Sequence, residues 1–295
     1  MIIRKTLIKL FPQSVKLGVS GRRTQTTLAA VMALFAAAAA AQTMKQLTYT
    51  VGPRANVSIT NHYGSIVVKP SGTRQVVVTA TSHSDAVSFL NEQRGNRIEL
   101  RAESSRVGTG LADYTVLVPS DAFVTLRSSD GVLRAQGLRS DVILESLSAS
   151  IEATDLSGAY LSVKTLNGSV LLVDIRSSHL NVRSIRGNIT LRNVTGSSAE
   201  VHSGTGQISY EGDPGRMGLY SFTSDTGDIE ISIPSSAWVQ IRGRSDKGES
   251  DPDLADGLVS PPVTHGNLLL RKGGNSASSF ALRSFKGNIH VKRIP

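Results

Sequence analysis

The sequence of 295 residues contains no cysteine, one tryptophan and few aromatic residues, which make up 5% of the chain. The absence of cysteine excludes disulfide bonds, thiolate metal sites and a cysteine nucleophile. The six histidines show no pair at i,i+2 or i,i+4, the spacings that bring two zinc ligands together on a strand or a helix. We find no amphipathic helical pattern after residue 41. The sequence therefore predicts no metal site and no cofactor.

The excess of positive charge is concentrated at the N-terminus. The whole chain has 32 basic and 23 acidic side chains and a net charge of +9. Residues 1–41 contain six of the basic side chains and no acidic one, which leaves 26 basic against 23 acidic side chains, or +3, for the rest. A nucleic-acid-binding protein would have its basic excess on the folded part. The charge distribution therefore predicts no nucleic-acid partner.

Residues 1–41 have the pattern of a signal peptide. A basic stretch ends at Arg22 and Arg23, an apolar run extends over residues 28–40, and small residues precede Gln42. This order is typical of a cleavable export signal, and the apolar run is too short for a comfortable membrane span. We expect cleavage before Gln42 and a bacterial protein in the periplasm, on the cell surface or secreted. An uncleaved N-terminal anchor is the alternative.

Apolar residues recur at a spacing of nineteen positions, each beside a small polar turn. The series is Val132, Ile151, Val170, Ile189 and Ile208, and it continues at Ile229 after a two-residue insertion. An apolar residue seven positions earlier, a serine or threonine five positions earlier and a small residue, mostly glycine, two positions earlier repeat with it. The first coil fits if one residue is missing before Val132, which gives Leu126, Ser128 and Gly131 for these positions. A fixed period near twenty residues is typical of a solenoid. Two short alternating strands in each period indicate parallel β-strands that stack coil on coil.

We therefore predict an all-β fold, a parallel β-solenoid with about nineteen residues per coil. Regular coils should cover residues 121–233. Residues 42–120 should form a mixed-strand N-terminal β region that is continuous with the solenoid, and residues 234–295 a C-terminal β cap. Partial copies of the repeat occur at 59–66 and 282–289. The acidic, proline-containing residues 244–262 predict a flexible loop within the C-terminal cap.

The coils share the phrase L-x-V-x-[ST]-x-x-G-[SND]-I, as in Leu161–Val170. Together with the signal peptide and the N-terminal strands that end in a Val-Pro step, this phrase resembles the bacterial putative-adhesin domain family of unknown function. The resemblance covers residues 45–292. It implies a β-solenoid of the cell envelope or surface, and it brings no catalytic residues.

Three basic residues occupy the same outward position on consecutive predicted coils, namely Lys164, Arg183 and His202. Stacked one coil apart, they would form a cationic stripe. An ordinary solvated strand face, on which lysine and arginine discourage aggregation, explains the same residues. The functional interpretation is a shallow groove that binds anionic glycans or envelope polymers.

Three classes of function follow from these features. The first, which we favour, is an exported, non-catalytic binding module of the envelope or cell surface with an adhesive role. The second is a polysaccharide-acting enzyme on a β-helix, which would need acidic and basic side chains that converge on adjacent coils. The third is a purely structural or regulatory envelope module.

Overall fold

The computed structural model describes residues 43–104, 110–253 and 266–295, which form strands and contain no helix. No part of this region offers a helix that could cross a bilayer. The predicted signal peptide, residues 1–41, lies outside the described residues. The strands are β1 (Thr43–Thr50), β2 (Asn56–Ser71), β3 (Gln75–Ser82), β4 (Val87–Arg94), β5 (Arg97–Ser104), β6 (Ala112–Pro119), β7 (Phe123–Gln136), β8 (Val142–Ser146), β9 (Ser150–Thr154), β10 (Ser157–Thr165), β11 (Val170–Ser184), β12 (Ile189–Thr195), β13 (Ser198–Ser203), β14 (Ile208–Glu211), β15 (Leu219–Ser224), β16 (Ile229–Pro234), β17 (Val239–Ser245), β18 (Ser250–Asp253), β19 (Asn267–Lys272), β20 (Ser278–Ser284) and β21 (Ile289–Ile294).

Successive coils pair through parallel strands, which confirms the predicted β-solenoid. One sheet contains β8, β10, the second half of β11, β13 and β15. The other sheet contains β9, the first half of β11, β12, β14 and β16. We call these the first and the second sheet. Their inward side chains form the core between them, and outward side chains line two exposed faces.

The predicted buried column lies in the second sheet, with one correction. Ile151, Val170, Ile189, Ile208 and Ile229 are register partners in successive coils and are all buried. The prediction that Val132 begins this column is wrong, because Val132 pairs with Ser150 and the partner of Ile151 is Leu133. Leu133 is fully buried, whereas Val132 is half-buried. The residue that this coil lacks is therefore missing after Leu133 and not before it.

Each regular coil has two corners. At the first corner the chain passes from the first sheet to the second, and at the second corner, where it leaves the second sheet, residues in the left-handed backbone region recur. Positive φ is rare outside glycine, and aspartate and asparagine tolerate it best because their short polar side chains bond locally. Asn193 Nδ2 donates to Asp174 Oδ1 at 3.0 Å, which links this corner between two coils. The positions are Gly137, Asp155, Asp174, Asn193 and Gly212. The last four repeat every nineteen residues, so this corner has its own pattern in the sequence.

A substitution at Asn193 tests this corner. Asn193→Val should lower the free energy of unfolding by about 2–3 kcal/mol, because a β-branched side chain is strained in the left-handed region and the side-chain hydrogen bond is lost as well. Asn193→Gly relieves that strain and should lose only the side-chain hydrogen bond, about 1 kcal/mol. Urea denaturation of both variants measures the difference. Equal losses for valine and glycine would contradict a conformational role for this position.

At the N-terminal end, coil geometry begins with β2. Strand β2 pairs in parallel with β7 from Asn56 to Val68, and its other edge pairs with β5 and β6. Antiparallel strands then cover this end: β3 lies between β6 and β1, and β4 pairs with β5. Such strands end the stack of parallel edges, which would otherwise invite association with another chain.

The C-terminal region is arranged differently from a simple cap. Strands β20 and β21 form a coil that is inserted between the β15–β16 coil and the β17–β18 coil. The antiparallel strand β19 covers β17 on the outside. Residues 244–253, which the sequence placed in a flexible loop, belong to β17, β18 and the turn between them. Residues 254–262 of that predicted loop lie outside the described residues.

Aromatic side chains fill the core where the inserted coil begins. The Phe280 ring stacks on Tyr220 at 4.6 Å between centroids and meets Tyr210 edge-on at 5.4 Å. The hydroxyls of Tyr210 and Tyr220 donate to backbone carbonyls at 2.9 and 2.8 Å. Burial raises the pKa of Tyr220 to about 12 and raises that of Tyr210 as well. Both side chains therefore stay neutral inside the core.

Candidate functional site

The turn from the first to the second sheet forms the corner beside which the candidate residues lie. At most coils a serine or threonine side chain accepts a hydrogen bond from the backbone N–H three residues on. The glycine N–H groups of residues 168, 206 and 227 donate to Thr165, Ser203 and Ser224 at 2.9, 3.0 and 2.9 Å. These bonds hold the turn in the same conformation from coil to coil. The outward side chains on either side of the turn are consequently stacked in rows.

The three residues of the predicted cationic stripe are register neighbours. Lys164 pairs with Arg183 across β10 and β11, and Arg183 pairs with His202 across β11 and β13. Adjacent parallel strands lie about 4.8 Å apart, so the three side chains leave the first sheet close together. Lys164 and Arg183 are 55% and 57% exposed, and His202 is half-buried.

Two acidic side chains partly balance this stripe. Glu145 forms an ion pair with Arg127 at 2.8 Å, and its other oxygen lies 3.9 Å from the Lys164 Nζ. Glu200 lies 3.4 Å from Arg183. Glu200 occupies the outward position two residues before His202 in the strand next to Arg183, a neighbour that the nineteen-residue spacing of the stripe does not reveal. Because these ion pairs are exposed, each stabilises the protein by at most about 1 kcal/mol. An anion of a ligand can therefore replace the carboxylate as the partner of Lys164 or Arg183.

A shallow depression of about 430 Å³ lies between the stripe and the turn. Leu166 and Ile185 line its other side, and the hydroxyl residues of the turn lie at its base. Ser184 is among them, and its Oγ is buried without a hydrogen-bond partner in the described part of the chain. The apolar side was missed from the sequence, although Leu147, Leu166 and Ile185 repeat at the nineteen-residue spacing. The depression therefore has a cationic wall and an apolar wall.

A second polar cluster joins Ser65, Asp113 and His83. Asp113 accepts hydrogen bonds from the Ser65 hydroxyl at 2.6 Å and from the Ser65 N–H at 2.7 Å, and its other oxygen lies 2.7 Å from His83 Nε2. Burial raises the pKa of the Asp113 carboxyl, but the bonds from Ser65 and His83 outweigh it and keep the pKa below its usual value. In a nucleophilic triad the histidine stands between serine and aspartate, where it can take the serine proton. Here the carboxylate is in the middle, so the cluster fastens β2 to β6 and does not activate Ser65.

No group of histidine, aspartate and glutamate side chains suited to a metal ion occurs in residues 43–104, 110–253 and 266–295. At the depression, Lys164, Arg183 and His202 present basic side chains next to the apolar side chains of Leu166 and Ile185.

Several solved structures are similar to this chain. One is a putative adhesin from Bacteroides fragilis, with 12% identity and a TM-score of 0.49, in which 85% of this chain and 97% of that chain are covered. Another is a putative adhesin from Parabacteroides distasonis, with 8% identity and a TM-score of 0.45, in which 85% of this chain and 98% of that chain are covered. No curated protein matches the chain.

The family model Toastrack DUF4097 matches residues 55–292, which include every coil of the solenoid. This match confirms the family resemblance seen in the coil phrase over residues 45–292. It spans the depression but not β1, and by itself it assigns no activity. The chain belongs to the Toastrack DUF4097 family.

Proposed function

We propose that the protein is an exported, non-catalytic binding module of the bacterial cell envelope or cell surface, with an adhesive role. Its ligands are anionic glycans or envelope polymers, and Lys164, Arg183 and His202 bind them. The sequence pattern of residues 1–41, which is typical of an export signal, supports the location. The register of the stripe supports the binding role.

The observation that carries the proposal is the stacking of three basic side chains on consecutive coils. Neighbouring cations repel one another, and an anionic polymer that runs along the stack relieves this repulsion at several points at once. Each contact at an exposed position is weak and screened by salt. The binding should therefore depend on repeated charges in the ligand and weaken as the salt concentration rises.

Replacement of the two exposed cations tests the stripe. Lys164→Ser/Arg183→Ser should weaken binding to polygalacturonate by about tenfold, because two exposed charge contacts together contribute about 1–2 kcal/mol. Both side chains point away from the core, so the variant should fold normally. Titration calorimetry at low salt measures the affinity.

Arg134→Ser/Arg192→Ser is the matched control, since it removes the same charge from exposed positions on the second sheet. It should bind polygalacturonate like the wild-type protein. Equal losses in both variants would mean that net charge alone attracts the polymer, and the stripe would then have no role. Release of reducing ends from the polymer by the wild-type protein would overturn the non-catalytic proposal.

A further inference from the structure

The first corner presents three apolar side chains to solvent on consecutive coils. Leu147, Leu166 and Ile185 are 56%, 36% and 53% exposed. Their backbone N–H groups bond to the preceding coil at the same turn position, so the side chains stand in one line. We call these three residues the apolar row.

The fold does not require apolar residues at this position. The equivalent turn position is Gly204 and Asp225 in the two coils after the row, and the backbone N–H groups of both make the same bond to the preceding coil. These coils make the same turn with polar or small residues. A soluble solenoid gains nothing from three adjacent exposed apolar side chains, because contiguous apolar surface favours association. The apolar row therefore indicates a partner that takes it out of water.

Cations flank the apolar row on both sides. Lys164 and Arg183 lie on the strand side, and they share the depression with Leu166 and Ile185. On the turn side, Arg186 follows Ile185, is exposed, and has no ion-pair partner among the residues that the structure describes. These cations lie on the coils of Leu166 and Ile185, whereas the coil of Leu147 has Glu145 at the strand-side position. A partner of the apolar row and the cations must therefore combine an apolar interior with anionic groups at its edge.

We propose that this corner docks on an anionic lipid surface. The apolar row enters between the lipid headgroups, and Lys164, Arg183 and Arg186 contact anionic headgroups beside it. Shallow insertion of apolar side chains, combined with attraction of basic side chains to anionic lipids, is the general basis of peripheral membrane binding. The three apolar side chains are exposed at the same turn position of adjacent coils, about 4.8 Å apart, so one surface can contact all of them together. The inference rests on the proposed function in that Lys164 and Arg183 serve both.

Binding of the full chain to lipid vesicles tests the inference. The wild-type protein should float with vesicles of phosphatidylglycerol and phosphatidylcholine and bind poorly to vesicles of phosphatidylcholine alone. Leu166→Ser/Ile185→Ser should bind the anionic vesicles about tenfold more weakly, because the apolar contact is lost. All variants carry the same N-terminal segment, so differences between them report on the corner.

Leu90→Ser/Leu117→Ser is the matched control, because these two leucines are 50% and 37% exposed and lie on β4 and β6. It should bind the anionic vesicles like the wild-type protein. Equal vesicle binding by Leu166→Ser/Ile185→Ser and the wild-type protein would overturn the inference.

Polygalacturonate separates this inference from the proposed function. Leu166→Ser/Ile185→Ser should still bind the polymer, since the cations remain. Stripe-dependent polymer binding without any vesicle binding would overturn the lipid inference and leave the proposed function standing. Vesicle binding that depends on the apolar row, without polymer binding, would support the lipid inference and overturn the glycan proposal.

Discussion

Replacing Gly206 by alanine should lower the free energy of unfolding by about 3 kcal/mol, although only one methyl group is added. A Cβ at Gly206 would collide with the carbonyl oxygen of Gly187 in the preceding coil. This oxygen belongs to the backbone, so it can move only if the two coils separate. Separation would stretch the parallel hydrogen bonds on both sides of the turn. Thermal denaturation and limited proteolysis measure the loss.

The same close approach recurs along the first corner. At Gly168, Gly187, Gly227 and Gly287 a Cβ would also meet a carbonyl oxygen of the neighbouring coil. The backbone of these turns is not in the left-handed region, so the reason for glycine is space and not conformation. Ala149 is the exception in this column. Its neighbour is Gly131, which has a φ of 109° and lies inside the continuous strand β7, so the turn geometry differs there.

Gly72→Ala is the control for this prediction. Gly72 lies between β2 and β3 with nothing within 4 Å of its would-be Cβ, and its φ is not positive. Alanine there should leave the stability unchanged or raise it by up to about 1 kcal/mol, because it restricts the unfolded chain. If Gly206→Ala had the same melting temperature as the wild-type protein, the close contact between coils at the glycine positions would not determine the stacking distance.

Replacing Phe280 by alanine should cost about 3–5 kcal/mol, the range for deleting a buried aromatic side chain. Phe280 is fully buried and touches Tyr210, Tyr220 and Phe222. Its strand β20 lies between β15 and β17, so the cavity would weaken two coil interfaces at once. In a solenoid, stability is a sum over neighbouring interfaces, and the coils beyond the cavity should therefore loosen first.

Urea denaturation and hydrogen exchange together measure this effect. Phe285→Ala is the matched control, because Phe285 lies just beyond the same strand but is 45% exposed. It should change stability by less than about 1 kcal/mol. Faster exchange in β17 and β18 than in β8 and β9 is expected for Phe280→Ala. A uniform increase in exchange along the chain would instead indicate that the solenoid unfolds as one unit.

The repeat could be predicted from the sequence because equivalent positions of stacked coils have the same surroundings. Each such position therefore requires the same type of side chain in every coil. Ile151, Val170 and Ile189 meet only one another and the core, so their spacing alone reveals the buried column. The displacement from Val132 to Leu133 is a conflict between two spacings in the sequence. Val132 keeps the nineteen-residue spacing to Ile151, whereas Leu133 keeps the within-coil spacing to Leu126, and the strand register shows that the within-coil spacing holds.

The order of the coils could not be predicted. The phrase around Leu282 and Ile289 matches the phrase around Phe222 and Ile229, so any two coils could stack on each other as far as the sequence is concerned. At the candidate site, the stripe followed from the period alone. The pairing of Arg183 with Glu200 and the depression beside Ile185 depend on side-chain directions that a one-dimensional pattern does not contain.

The inserted coil has a consequence for how the protein is made. Strands β15 to β18 are synthesised before β20 and β21, yet β20 and β21 lie between them. A chain that emerges from the ribosome therefore cannot complete the solenoid in order, from one end to the other. Until residues 278–294 arrive, β15 and β16 on one side and β17 and β18 on the other keep open parallel edges. A truncated product would retain those edges, which makes it a target for proteases and for association with other chains.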